Sequence, residues 1–342
     1  MQRSFYFLYF CKITAVKMDP FSIFNISSDA AFEEKALEVF KFQFENNKVY
    51  RSFCDLLFKH PSDVHSITDI PFMPVEFFKN HKVLSSSKDI QQTFVSSGTT
   101  NNIHSQHHIT DLKVYEKSFT KGFEKFYGAV KDYTILALLP SYLERKDSSL
   151  VYMVQDMITQ SNKPDSGFYL EDLKGLKATL LKLENKEQKT LLLGVSYALL
   201  DLIEFHQFEL KHSFVMETGG MKGRRKELIK SELHALLKKG FGVKSIHSEY
   251  GMTELLSQAY SKGGGVFSTP PWMRVLIRDT EDALTILPKE KTGGINVIDL
   301  ANVHSCAFIA TQDLGKIRKN GQFELLGRFD QSDIRGCNLM LL

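Results

Sequence analysis

Behind the β-prone stretch Gln92-Thr93-Phe94-Val95 come five small residues in a row, Ser96, Ser97, Gly98, Thr99 and Thr100. Backbone N–H groups and short hydroxyls in such a run can close around phosphate oxygens with no side chain in the way. No Lys-Ser/Thr pair completes it, so it is not a Walker A loop; a hydroxyl-rich surface loop is the plain alternative. A second group, Ser248-Glu249-Tyr250-Gly251-Met252-Thr253-Glu254, follows the apolar stretch Val243 to His247. Glu254 could ligate Mg2+, which takes carboxylate and phosphate oxygens, Tyr250 offers a flat ring to a base, and Gly251 permits a close turn. The same residues would also serve as a capped helix start. Asp313, in Ala310-Thr311-Gln312-Asp313-Leu314-Gly315, could accept both hydroxyls of a ribose or simply open a turn. In Gly327-Arg328-Phe329-Asp330, Arg328 could meet a phosphate and Asp330 could mark a pivot.

The elements that would hold these groups follow from periodicity. Asp29 to Asn46 reads as a helix with the stripe Phe32, Ala36, Val39, Phe40 and Phe44, and Tyr50 to Phe58 as a short second one. A proline-punctuated passage runs through Pro61, Pro71 and Pro74 to Phe78. Helices are then expected over 111–127, 169–183, 198–208 and 226–238, alternating with strands over 134–139, 190–195, 213–217 and 243–247. That rhythm predicts an α/β fold with layered, mostly parallel sheets, whose ligands lie at the carboxyl ends of the strands. Past Gly263-Gly264-Gly265 the texture changes to short runs between glycine turns (274–278, 284–287, 294–299, 305–310, 322–326), which predict a small antiparallel subdomain. The expected division is therefore 1–17, an upstream extension; 18–262, the α/β core; and 263–342, the β-rich subdomain with its tail.

Composition excludes several classes. Forty-three basic against 40 acidic residues leave +3, too little for a nucleic-acid binder, and the basic run Lys222, Arg224, Arg225, Lys226 is read as one solvated helix end. Four scattered cysteines, Cys11, Cys54, Cys306 and Cys337, form neither a disulfide framework nor a zinc knot, which implies a reducing, cytoplasmic setting. The apolar run Phe5 to Cys11 is far short of the about 20 residues a membrane helix needs, so no stable membrane insertion is expected. Twenty-seven Phe residues predict an aromatic core before they predict an apolar channel.

Taken in order, the four motifs resemble the adenylate-forming superfamily of acyl-CoA synthetases, peptide-synthetase adenylation domains and beetle luciferases. The passages Ile70 to Lys79, Phe94 to Thr100 and Glu217-Thr218-Gly219-Gly220-Met221-Lys222-Gly223, with the ending Arg335-Gly336-Cys337, resemble its acyl-protein synthetase branch from about residue 19 onward. The resemblance implies the large domain of that superfamily and two cofactors, ATP and Mg2+. Ser96, Ser97, Gly98, Thr99 and Thr100 would meet the phosphates, with Thr100 taking part in catalysis. Tyr250 would stack on adenine beside Gly219 and Gly220, with Gly251 and Thr253 completing that motif. Glu254 would hold the metal, Asp313 the ribose, and Arg328 a phosphate or the hinge. A carboxylic acid, on family grounds a fatty acid, would become an acyl adenylate and pass to a thiol.

Two departures qualify the match. After Thr100 the chain reads Asn101-Asn102-Ile103-His104-Ser105, so the usual loop lysine is missing; His104, His107 and His108 are candidates for its charge, or else a surface cluster. The sequence stops 12 residues after Asp330, which leaves no lid domain. The expectation is that a partner completes the site or that the shortened form works alone. By the resemblance Cys337 carries the acyl group, the alternative being a small apolar residue in a last strand. An acyl-carrier protein or reductase is the implied partner. A ligase that uses coenzyme A or an aryl acid, and a catalytically silent scaffold, stay open as alternatives.

Overall fold

Ser28 caps α1 (Asp29–Asn46) by accepting the Ala31 N–H, and the stripe from Phe32 to Phe44 is buried as its spacing predicts. Asn47 closes that helix and caps α2 (Lys48–Leu56). The computed structural model describes residues 18–97, 104–141, 143–219, 225 and 228–329. The proline-rich passage is more ordered than its composition predicts, since it contains β1 (Met73–Pro74) and α3 (Phe77–Asn80). An antiparallel pair, β2 (Gln92–Val95) and β3 (Gln106–Ile109), flanks the small-residue loop. Then follow α4 (Leu112–Tyr127), β4 (Thr134–Leu138), α5 (Ser149–Ser161), β5 (Gly167–Phe168), α6 (Leu173–Asn185), β6 (Thr190–Val195), α7 (Ser196–Phe205), β7 (Ser213–Thr218), α8 (Lys230–Phe241) and β8 (His247–Tyr250).

Helix α5 is absent from the sequence reading because Leu150 to Val154 is apolar without interruption, which hides the helical period. Helix α8 starts later than 226, and Arg225 binds Asp201 and Glu204 of α7 instead of ending a helix in solvent. Strand β8 also starts later than predicted. Gly242, at φ 65°, ends α8 in a left-handed turn, and pairing with β7 begins only at Met216 opposite His247. Ser248, Glu249 and Tyr250 therefore lie within the strand, and Thr253-Glu254 forms a turn, not a helix start.

The first sheet runs β5-β4-β6-β7-β8-β9, parallel up to β8, with β9 (Ala259–Ser261) antiparallel at its edge. The second takes β10 (Val266–Phe267), β11 (Met273–Arg278), β12 (Thr292–Asp299), β13 (Phe308–Ile317) and β14 (Phe323–Arg328) in the order β10-β14-β13-β12-β11, all antiparallel. Early in the chain, β1 adds itself parallel to β13 through Met73 and Pro74. This is the expected α/β architecture with its antiparallel subdomain. Two details differ. The run 284–287 contributes only a bridge from Ile286 to Arg278. The run 305–310 extends through Asp313, where a turn was the plain alternative, into the ten-residue β13 with alternating burial.

The phenylalanines pack the core. Phe40, Tyr50 and Phe72 surround Phe308 of β13 with ring centroids about 6 Å apart. Cys54 and Cys306 are fully buried beside them. Burial pushes the Cys54 thiol up to about 12 and raises Cys306 further still.

One buried polar joint links the two sheets. Asp299, at the end of β12, accepts the N–H of Leu256 (2.7 Å), Ser257 (2.9 Å) and Ala301 (3.1 Å), and the Ser257 hydroxyl. That hydroxyl also accepts from the Trp272 indole at 3.0 Å. Burial raises the Asp299 pKa, and these four donors oppose the rise. Asp299→Ala strands three buried N–H groups and is expected to cost on the order of 3 kcal/mol. Urea unfolding would measure it, and a loss under about 1 kcal/mol would mean that the joint does not hold the sheets together.

Candidate active site

The small-residue loop is pinched at its base. Ser96 donates its N–H to the Ser105 carbonyl at 3.1 Å, and Ser105 returns an N–H to the Ser96 hydroxyl at 3.0 Å. Ser97 is exposed at the loop's start. Gly98, Thr99 and Thr100 lie outside the described residues, as do Gly220, Asp330 and Cys337.

Two residues past the pinch, the loop is tied to the second motif. His107 is fully buried, and its Nδ1 bonds the Thr253 carbonyl at 2.8 Å. Burial holds its pKa at about 4. The ring is therefore neutral, and with a carbonyl as partner Nδ1 carries the proton. The adjoining Glu254 is 5% exposed. Burial raises its pKa, while the Ser105 hydroxyl, its own N–H, Arg328 and Lys79 all favour the charged form. From behind, Asn302 donates Nδ2–H to the Glu254 carbonyl at 2.7 Å and fixes the turn.

The third and fourth motifs face each other across a ladder. Asp313 on β13 is the cross-strand partner of Arg328 on β14, whose Nε lies 3.2 Å from Oδ1. The Tyr250 hydroxyl donates to Oδ2 at 2.8 Å, and its ring packs edge-on against the stacked pair Phe267 and Phe323. Arg328 thus touches Asp313 and acts on Glu254, so Ser96, Tyr250, Thr253, Glu254, Asp313 and Arg328 share one neighbourhood, at or just past the ends of β2, β8 and β14 and beside the middle of β13.

Acidic groups line the β7–β8 side. Glu217 meets Lys230 at 2.8 Å and His234 at 3.4 Å; burial opposes its ionisation, yet these partners hold its pKa below the usual range. Next to it Glu249, accepting from the Thr218 hydroxyl, is pushed up to about 7 by burial, despite that hydrogen bond. Gly251 follows because a Cβ there would stand 2.5 Å from Glu249 Oε1. Gly219 sits at φ 65° with its carbonyl accepting from Ser196 at 2.9 Å.

Neither His107 nor His108 is a surface residue awaiting a phosphate. His107 is committed to Thr253, and His108 Nδ1 pairs with the Thr93 hydroxyl at 2.9 Å, because both lie in a ladder strand packed under α3 and α4. No group of three or more His, Cys, Asp or Glu able to hold a metal occurs among the described residues. A single buried carboxylate beside a phosphate loop nevertheless suits Mg2+, which usually takes one or two carboxylates and fills its shell with phosphate oxygens and water. Glu254 fits that ion. Ser105, Asn302 and Asp299 give no sign in the sequence, and His107, a candidate there for a phosphate or the surface, instead holds a carbonyl. His107, Asn302 and Asp299 act on backbone groups distant in the chain, and nothing in their local sequence marks those roles.

Glu249 generates a stability prediction. A carboxyl whose folded pKa is raised stabilises the fold fully below its unfolded pKa, near 4.5, and loses that contribution as pH climbs through about 7. Glu249→Gln should therefore stabilise the protein by on the order of 2–3 kcal/mol at pH 8 and by almost nothing at pH 4.5. Thermal midpoints taken across that range give the comparison, and parallel curves for the two proteins would contradict it.

The comparisons with known proteins agree with this fold. A long-chain-fatty-acid–luciferin-component ligase from Aliivibrio fischeri is 22% identical over 338 residues, covering 89% of this chain and 86% of that one. Among solved structures, ATP-bound MatB from Rhodopseudomonas palustris aligns with TM-score 0.55 and 19% identity over 71% of this chain; the chain spans about half of MatB, 49%. A 2-hydroxyisobutyryl-CoA ligase in its postadenylation state with 2-HIB-AMP aligns with TM-score 0.63 and 11% identity, covering 88% of this chain and 68% of that one. At such identities these structures speak for the fold. The family model described as acyl-protein synthetase, LuxE, matches residues 13–342, and the chain belongs to that family.

Proposed function

We propose that the chain uses ATP to activate a carboxylic acid as its acyl adenylate and then passes the acyl group to a protein thiol. The convergence of Ser96, Glu254, Asp313 and Arg328 on one neighbourhood supports the reading most directly. Ser97, Gly98, Thr99 and Thr100 cradle the triphosphate, and the Ser96–Ser105 pinch sets the width of the cradle. Asp313 accepts from the ribose hydroxyls, oriented by Tyr250 and Arg328. Tyr250, Gly219 and Gly220 border the adenine, with Gly251 and Thr253 shaping the wall between base and phosphate. Glu254 would hold Mg2+, which when bound supplies charge neutralisation to the phosphates.

The substrate's carboxylate oxygen attacks the α-phosphorus, the bond to the β-phosphate oxygen breaks, and pyrophosphate leaves. Backbone donors of the loop and Arg328 balance the charge that develops there. A thiolate then attacks the acyl carbon and AMP departs. The thiol is that of Cys337, or one on an acyl-carrier protein or reductase. The family description names an acyl group, and a fatty acid is the substrate proposed because the relative from Aliivibrio fischeri carries long-chain fatty acid in its own name. No helix among the described residues is long and apolar enough to cross a membrane.

Acid-dependent exchange of labelled pyrophosphate into ATP tests the first half-reaction. Glu254→Gln, nearly isosteric, should lower it by roughly 100-fold or more with the fold intact. Exchange at wild-type rates would remove Glu254 from the site. Cys337→Ser should keep exchange and lose the hydroxylamine-sensitive acyl label on the protein. Persistence of that label would move the acceptor elsewhere, and label appearing in a soluble thioester would point to coenzyme A.

A further inference from the structure

The phosphate loop carries no lysine between Ser96 and Ser105, yet a triphosphate and its leaving pyrophosphate need positive charge. The described cations near the loop can be taken one at a time. Arg328 pairs with the Asp313 carboxylate and is assigned above to the charge at the α-phosphorus. His107 is neutral and closed off by Thr253, and His108 is paired with Thr93. Lys230 belongs to Glu217, and Lys88 faces Asp111 at 3.4 Å. One remains. Lys79 on α3 is exposed, makes no ion pair among the described residues, and favours the charged form of Glu254, as Arg328 does.

Its backbone is held from three directions. The Tyr50 hydroxyl donates to the Pro71 carbonyl at 2.7 Å, ahead of β1. The Val75 N–H then bonds the Ala310 carbonyl at 3.0 Å, extending the β1–β13 pairing toward Asp313, and Gln312 donates to Glu76. On the far side the Phe78 ring packs edge-on against His107, centroids 5.5 Å apart, the same His107 that holds Thr253. The helix that carries Lys79 is thus fixed to both the loop strand β3 and the ribose strand β13, while the ammonium stays solvated. A flexible cation on a fixed base beside a buried carboxylate suits polyphosphate, since an ammonium acts on phosphate as a mobile point charge.

We propose that Lys79 is the phosphate-binding cation of this site, contacting the β- and γ-phosphates of ATP and the pyrophosphate that leaves. The assignment rests on the ATP reading given above. AMP, which lacks those phosphates, separates it from a general role. The full chain, Lys79→Met and Lys79→Arg would be titrated with ATP and with AMP in the presence of Mg2+, with thermal midpoints checked in parallel. Lys79→Met should weaken ATP about tenfold and leave AMP unchanged, raise the KM for pyrophosphate in exchange, and retain the wild-type midpoint. Lys79→Arg should restore most of the ATP affinity. Unchanged ATP affinity in Lys79→Met, or equal losses for ATP and AMP, would overturn the role of Lys79 and leave the nucleotide site standing. A wild-type protein that binds neither nucleotide would overturn both.

Discussion

A neutral histidine bonded to a carbonyl holds the site together. His107 lies with no solvent contact between Phe78 and the Thr253 turn, and burial keeps it uncharged throughout the neutral range. An uncharged ring can be buried at modest cost, while an imidazolium there would need a counter-charge that its neighbours do not supply. The 2.8 Å bond from Nδ1 to the Thr253 carbonyl joins the strand leaving the phosphate loop to the turn that carries Glu254. Loop and carboxylate cannot drift apart without stranding a buried donor and a buried acceptor.

Around that bond the two sheets contribute different charges. The parallel sheet brings the acids Glu217 and Glu249 to the ends of β7 and β8. The antiparallel sheet brings the Asp313–Arg328 pair, with Arg328 largely solvent-exposed. Such an exposed pair contributes little to stability, so its geometry is better understood as orientation of the aspartate. Tyr250 bridges the sheets, since its backbone belongs to β8 and its hydroxyl to Asp313 on β13. Asp299 makes a second bridge through the backbone of Leu256 and Ser257. The position of Glu254 is thereby set by both sheets at once.

Much of this was legible in the sequence. Long amphipathic segments such as α1 and continuous apolar strands such as β6 fell where periodicity put them, because each is decided by its own residues. The described members of the four motifs, Ser96, Tyr250, Glu254, Asp313 and Arg328, lie in one neighbourhood. What could not be read was decided by contact. Whether Asp313 turns or continues a strand depends on β14 and β12, not on its neighbours in the chain. The histidines looked like a surface cluster because a strand of Gln-His-His-Ile gives no sign of what covers it. The passage from Pro71 to Lys79 looked like loop because its strand is completed by residues more than 230 positions away, at Ile309 and Ala310.

The buried cysteines have a chemical consequence. A mixed anhydride reacts with whichever sulfur is ionised and reachable, and Cys54 and Cys306 are neither, enclosed in the aromatic core with their acidity suppressed. Within the described part of the protein no internal thiol competes as an off-target acceptor. Chemoselectivity between sulfur atoms is thus achieved by exclusion: neither core thiol can divert an activated acyl group from its acceptor.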